Sequence, residues 1–371
     1  MIFAKTATCT KSYYLEPGLT MRLCTWVYLL LTSSVVSSSK PCFPGCHCEV
    51  ESFGLFDSFS LTKVDCSGIG PHIVPVSIPL DTAYLDLSSN KLVKINESVL
   101  SGPGYTTLVN LNLSYNQIVK ISSTTFSKLR YLETLDLSHN MLEMLPVQSF
   151  FYSPIVDLDL SFNKLLDIKM GAFTLFGQGK SMTIDLSNNF IGSISKGINS
   201  TTPNIQSLTL SGNRLQAVPS LQGIPLRHLN LDKNPIAKIE AQNFLGLKNL
   251  AHLSLSSLQS LKEISPYSFK ELPYLQTLDL SNNHNLKSIN SDVFFGLDSL
   301  QELNLSNSGV SSLPKDILPY LPSIKSITWG KNTHCVKTVK ESQFNRQTGL
   351  VRKEILLCRD DNGAVSVPSI F

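Results

Sequence analysis

A solenoid of short parallel strands is the fold that this sequence predicts, and three observations predict it. The pattern Leu-x-Leu-x-x-Asn, plain in Leu135-Asp136-Leu137-Ser138-His139-Asn140, returns from Leu85 to the region of Trp329. Its last position falls at Asn90, Asn116, Asn140, Asn163, Asn189, Asn213, Asn234, Leu258, Asn283, Ser308 and Asn332, at spacings of 21 to 26 residues. Cysteines stand in two groups at the ends of this array. A period of that length marks leucine-rich repeats. The expected class is therefore an α/β leucine-rich repeat solenoid, a curved horseshoe with a parallel sheet on its concave side and a disulfide-bonded cap at each end. Unrelated amphipathic strands would not hold eleven copies in phase.

Within a repeat, Leu135 and Leu137 point into the core, while Thr134, Asp136 and Ser138 are expected to face solvent. The asparagine follows where the chain turns, and its amide can satisfy backbone groups of its own and the neighbouring repeat. A second apolar set with a phenylalanine fills the convex side: Ile121, Phe126 and Leu129; Leu145 and Phe150; Ile168 and Phe173; Ile264, Phe269 and Leu272. Two rungs depart from the pattern. Leu258 has no side-chain hydrogen bond to give and Ser308 is short, and a buried backbone group left unpaired costs ~1–3 kcal/mol. Local irregularity is expected at both.

Taken in order, residues 1–39 stand apart from the fold. Arg22 precedes an apolar run from Leu23 to Val36 and then Ser37, Ser38 and Ser39, which reads as a signal peptide beginning at Met21 behind an upstream extension. The run is shorter than the ~20 apolar residues of a membrane span, and no later stretch qualifies, so a secreted product with no membrane span is expected. Setting aside Cys9 and Cys24 leaves six cysteines, an even number that suits an oxidising compartment. Cys42, Cys46, Cys48 and Cys66 lie in an N-terminal cap, 40–75, in the order Cys-x3-Cys-x-Cys-x17-Cys. Such a cap covers the open apolar end of a solenoid. His47 between Cys46 and Cys48 makes zinc the rival reading, but a secreted chain favours disulfides over a structural metal, and no metal is expected. The repeats run over 76–332. In the last, Trp329 replaces the second strand leucine, and Cys335 and Cys358 close a C-terminal cap, 333–371. A loop of this size contributes ~3–4 kcal/mol on the chain-entropy account of disulfides.

Catalytic signatures are missing: there is no His-Glu-x-x-His, Gly-x-Ser-x-Gly, Walker-type loop or dinucleotide fingerprint, so neither enzyme nor cofactor is expected. His139, His228 and His252 fall at turn or solvent positions. The residue between the two leucines is more informative: Asp86, Asn112, Asp136, Asp159, Asp185, Thr209, Asn230, Ser254, Asp279 and Asn304 in order, with Asp157 one position upstream of its strand. Asp86, Asp136, Asp157, Asp159 and Asp185 make a candidate binding face, because a broad anionic surface steers a basic partner. The alternative is that small polar residues simply fit a tight strand ladder. From Lys331 onward seven Lys or Arg oppose four Asp or Glu, a net of +3 that equals the formal charge of the whole chain. Nucleic acid is not an expected partner, since no basic stripe exists. Four sequons, at Asn96, Asn112, Asn199 and Asn304, predict N-glycosylation. The two in loops, Asn96 and Asn199, suit a bulky glycan better than the two on strands.

Strings that the generic repeat does not dictate carry a resemblance. They are Pro41-Cys-Phe-Pro-Gly-Cys-His-Cys-Glu-Val50, Phe53-Gly-Leu-Phe-Asp-Ser-Phe-Ser-Leu61, Val64-Asp-Cys-Ser-Gly68, Gly70-Pro-His-Ile-Val-Pro75, Ile78-Pro-Leu-Asp-Thr-Ala83, Asn96-Glu-Ser-Val-Leu100 and Gly102-Pro-Gly-Tyr-Thr-Thr-Leu108. With these and the x17 spacing, the chain from about residue 40 to the end resembles the secreted small leucine-rich proteoglycan family, noncanonical class. Its two-cysteine C-terminal cap departs from the four-cysteine form of receptor ectodomains. The resemblance implies an extracellular protein that inhibits BMP and Wnt signalling. Implied partners are BMP and other TGF-beta family ligands, chordin acting alongside, FGF, Delta-type Notch ligands and the Wnt receptor Frizzled. It also implies the pairs Cys42–Cys48 and Cys46–Cys66, which the residues alone leave open among three connectivities. The competing expectation is a structural matrix protein that binds collagen.

Overall fold

The computed structural model describes residues 43–53, 59–70, 77–96, 98–176, 180–196, 201–314, 316–331, 333–341, 352–359 and 365–366. The leader, Cys42, Asn199 and Asn332 lie outside them. All described residues belong to one unit, Ser38–Phe371.

The repeat pattern folds as its spacing dictates. Leu135 and Leu137 are fully buried. The strand of Leu135, Thr134–Asp136, lies parallel between Asn110–Asn112 and Asp157–Asp159, so that Leu111, Leu135 and Leu158 form one row. Parallel pairing continues from Phe59–Asp65 to Ser326–Gly330 within a 16-stranded sheet. Behind it the described connecting segments are mostly irregular, with 3-10 turns, two small parallel pairs (Asp167–Lys169 with Ser193–Ser195, Lys238–Ile239 with Glu263–Ile264) and a four-residue α-helix, Ile317–Tyr320. The phenylalanines of these segments stack within the core: the ring centroids of Phe126 and Phe150 are 5.8 Å apart, those of Phe150 and Phe173 6.3 Å, and those of Phe244 and Phe269 5.6 Å. Offset stacking at such distances adds to the burial of the rings.

The asparagines bind the repeats together. Asn140 Nδ2 donates to the carbonyls of Leu137 (3.1 Å) and Ser138 (3.0 Å) in its own repeat and of Leu113 (2.9 Å) in the one before, and its Oδ1 accepts from Ile118 N–H at 2.9 Å. Asn116, Asn163, Asn189, Asn213 and Asn234 repeat this arrangement. From Leu87 to Leu210 the carbonyl of each second leucine is therefore served twice. Leu113 O, for instance, accepts from both Asn116 and Asn140.

That redundancy decides what happens at the two deviant rungs. At Leu258 the strand register runs through without interruption. The carbonyls an asparagine would have reached keep their other partners, Leu231 O from Asn234 and Leu255 O from Asn283, and Leu258 itself is 0% exposed with its N–H on Asn283 Oδ1. The irregularity expected there is confined to the turn: Asn283 Oδ1 takes the N–H of Leu258 itself, where Asn140 takes the N–H two residues after Asn116, and Leu261 N–H bonds Leu258 O at 2.9 Å. At Ser308 the hydroxyl reaches only Leu305 O, at 2.7 Å, and the following turn collapses onto its neighbour. A Cβ on Gly309 would lie 2.4 Å from His284 O and 2.8 Å from Leu286 O, so only glycine fits. Two further corrections concern the strand. Ser138 is 5% exposed rather than solvent-facing, because its carbonyl and N–H are held by Asn140 and Asp136. Asp157 is the first residue of its strand, not upstream of it.

Antiparallel strands finish both ends. His47–Phe53 pairs antiparallel with Phe59–Asp65, which adds in parallel to Thr82–Asp86. Cys46 bridges to Cys66, and Cys48 is disulfide-bonded as well. Buried Cys48, Val64 and Cys66 close that end of the core. At the other end Ser326–Gly330 pairs antiparallel with Thr333–Glu341, and that strand with Arg352–Arg359. Cys335 and Cys358 are register partners bridged across the two strands. Trp329 occupies the second-leucine row opposite Leu305 and donates from Nε1 to Val310 O at 3.1 Å.

Two outcomes test this architecture. Reduction of the disulfides exposes the ends of a one-dimensional stack, and loss of a native bridge costs about 2–5 kcal/mol. Thermal unfolding after verified reduction should shift to clearly lower temperature; an unmoved transition would mean the cap strands hold unaided. Asn140→Ala should destabilise by about 1–3 kcal/mol, since buried backbone groups lose their partner, whereas Ser123→Ala at an exposed site should fall within about 0.5 kcal/mol. Equal denaturation midpoints for the two variants would remove the ladder from the account.

Candidate binding face

Three columns of side chains run across the outer face of the sheet. The middle one holds the residues between the paired leucines. Asp136, Asp159 and Asp185 sit on consecutive strands in register, with Asp86 two rungs earlier and Asn112 between. Strands are ~4.8 Å apart, so these carboxylates form one negative strip. Exposed Asp157 joins it from the first column.

These carboxylates also have structural work. Asp136 Oδ1 accepts from Ser138 N–H at 2.8 Å, and Asp86, Asp159, Asp185 and Asp279 accept from the N–H two residues on in the same way. The bond fixes the end of each strand as an Asx turn. Asn112, Asn230 and Asn304 make it equally well at 2.9–3.1 Å, so the negative charge is not what the turn requires. Where Ser254 is too short, Asp232 of the preceding repeat reaches across to Ser254 Oγ at 2.7 Å and Ser256 N–H at 2.6 Å. Burial pushes the Asp232 carboxyl above the usual carboxylate range, partly offset by those hydrogen bonds.

Farther along, His228 and His252 are register partners whose rings stack at 4.6 Å. Burial, then repulsion from His252 and Arg227, lowers the His228 pKa and favours its neutral form. Among the described residues no group of three or more His, Cys, Asp or Glu is placed to hold a metal ion. No described helix is long and apolar enough to cross a membrane.

Of the sequons, Asn96 is exposed and holds the turn through Ser98 Oγ (2.6 Å) and Val99 N–H (3.1 Å). Asn112 and Asn304 are half-buried strand residues whose Oδ1 atoms accept from the hydroxyl and N–H of their own sequon serines, Ser114 and Ser306. Asn112 Nδ2 additionally meets Asp86 Oδ2 at 3.1 Å.

One feature escapes a sequence reading built on leucine and asparagine. From Asn90 to Ser308 the residue before each ladder position has positive φ: Ser89, Tyr115, His139, Phe162, Asn188, Gly212, Lys233, Ser257, Asn282 and Asn307. Glycine and asparagine suit that conformation; a bulky ring there costs of order 1–3 kcal/mol. Three successive rungs nonetheless carry Tyr115, His139 and Phe162, stacked face to face at 4.1 and 4.2 Å. Tyr115 is 57% exposed and Phe162 47%. The signal was available in the sequence as three aromatic-type side chains at one repeat position, once that position is known to be left-handed.

Comparison with known proteins gives a matching lineage. The Leucine rich repeat family matches residues 106–165, 180–236, 224–284, 257–310 and 274–332. Tsukushi of Xenopus tropicalis is 67% identical over 346 residues, covering 93% of this chain and 99% of that protein. Tsukushi of Gallus gallus is 65% identical over 344 residues (91% and 93%), and Tsukushi of Homo sapiens 53% over 349 residues (92% and 98%). On this evidence the chain, a leucine-rich repeat solenoid bridged by disulfides near both ends, belongs to the Tsukushi family.

Proposed function

We propose that this chain is a secreted, N-glycosylated binding protein that modulates extracellular signalling and has no covalent chemistry of its own. The observation that carries the proposal is the sheet face itself: an unbroken array of in-register rungs whose first half presents Asp86, Asp136, Asp157, Asp159 and Asp185. Charge of one sign spread over such a surface raises the on-rate and selectivity for a basic protein partner. Partners of that chemistry are the BMP and TGF-beta ligands and FGF, with chordin, Delta and Frizzled completing the set that the family resemblance implies. Occupying BMP or Frizzled surfaces inhibits BMP and Wnt signalling. Glycans belong at Asn96 and Asn199 first, since Asn96 is exposed whereas Asn112 and Asn304 are half-buried on strands. The proposed division is leader 1–39, N-terminal cap 40–75, repeats 76–332 and C-terminal cap 333–371.

The test uses the finding that asparagine maintains the Asx turn. The triple variant Asp136→Asn, Asp159→Asn, Asp185→Asn should keep its thermal unfolding and lose electrostatic attraction. Against immobilised BMP its association should slow by roughly threefold to tenfold at low salt, with the gap closing as salt rises, because exposed charges are screened beyond ~8–10 Å near physiological ionic strength. An unchanged association rate at low salt would place the site elsewhere. Parallel surfaces of Frizzled ectodomain and fibrillar collagen separate signalling modulation from a matrix role; saturable binding to collagen alone would replace the proposal by the matrix reading.

A further inference from the structure

We propose that Tyr115, His139 and Phe162, together with the carboxylates of Asp136 and Asp159 beside them, form a docking platform for an arginine-bearing apolar segment of a partner protein. This rests on the reading of the chain as a binding protein and says which chemistry it grips. The three rings form a continuous column, with centroids 4.1 and 4.2 Å apart and planes within 9° of parallel. The residues that continue the column, Ser89 and Asn188, are too short to cover the outer faces of Tyr115 and Phe162. On the other rungs the same left-handed position is filled by serine, asparagine, glycine or lysine. The array therefore folds without rings there, and packing of the core does not demand them.

The surroundings select the occupant. On the sheet side, three residues before His139 and Phe162, lie Asp136 and Asp159. On the opposite side the exposed turn positions carry Val119, Met141, Leu166 and Phe190, with Lys164 and Glu143 among them cancelling in charge. The stack is thus bordered by negative charge on one edge and by apolar surface on the other. A guanidinium satisfies the first edge, since it lies flat on an aromatic face while its N–H fork meets carboxylate, and an apolar neighbour satisfies the second. The chain shows the contact in miniature nearby, where Arg214 lies 4.3 Å over the ring of exposed Phe190.

The decisive variant is Tyr115→Asn with Phe162→Asn. Asparagine already holds this conformation at Asn188, Asn282 and Asn307, so the double variant should unfold at the same temperature as wild type or higher. The probe is a synthetic octapeptide alternating arginine and leucine, titrated into the full chain while the ring resonances of His139 are followed by NMR. Saturable shifts of His139 are expected, with at least tenfold weaker binding to the double variant and to an octapeptide in which glutamine replaces arginine or serine replaces leucine. No shift at millimolar peptide, or equal binding by either altered peptide or by the double variant, overturns the proposal. The same double variant is run against immobilised BMP. If it associates and dissociates like wild type while the triple aspartate variant associates slowly, the sheet-face function stands and the platform falls.

Discussion

The buried asparagine amide is the interaction on which the rest of this molecule depends. Each repeat is too small to bury its own leucines, so its stability lies in contact with its neighbours. Leucine rows supply that contact without direction, since apolar burial is proportional to area and tolerant of sliding. The amide supplies direction. With Nδ2 on two carbonyls of its own turn and one of the preceding repeat, and Oδ1 on the preceding repeat's N–H, Asn140 fixes both the turn and its offset from the next. Because the second-leucine carbonyls are shared between successive asparagines, the ladder tolerates one missing rung. Leu258 occupies the gap as a core residue, and the carbonyls of Leu231 and Leu255 keep one asparagine each.

Much of this was legible in the sequence, for a physical reason. Period, leucine pairing, phenylalanine position and cysteine grouping are all consequences of a stack in which each unit meets the same environment, and a uniform environment writes a repeated pattern. What was not legible lies where the environment depends on geometry finer than the period. Ser138 reads as an outward strand residue by alternation, yet the strand ends at Asp136 and the turn folds Ser138 under the asparagine. Asp232 follows its second leucine where Ser88, Ser114, Ser138, Ser161, Ser187 and Ser211 follow theirs, and only the fold shows that its carboxylate serves Ser254 and Ser256 one repeat later. Ser308 needed Gly309 beside it, because the short hydroxyl lets two turns approach until no Cβ fits.

The same limit applies to the candidate site. The acidic strip could be read directly, since it occupies one repeat position. The aromatic column occupies another, but its meaning depends on a backbone conformation that spacing does not reveal. Once φ is known to be positive at Tyr115, His139 and Phe162, three rings that would otherwise count as ordinary surface residues become residues held at a conformational cost.

Scaffold and recognition are thus separable on this face, although they use the same side chains. Each aspartate of the strip accepts its turn N–H through an oxygen that an asparagine also possesses, as Asn112, Asn230 and Asn304 demonstrate within the one sheet. The turn fixes the presence of an acceptor and leaves its charge free. Likewise the left-handed position fixes a backbone conformation and leaves the side chain free, within the cost of its bulk. The sheet therefore has two columns in which chemistry can vary while the stack stays intact, one by charge and one by ring. On two successive rungs a carboxylate and a ring stand together, Asp136 with His139 and Asp159 with Phe162, whereas Asp86, Asp185 and Asp279 go with Ser89, Asn188 and Asn282. A charge that the turn does not require, beside a ring held at a conformational cost, is the physical ground for placing recognition on those two rungs.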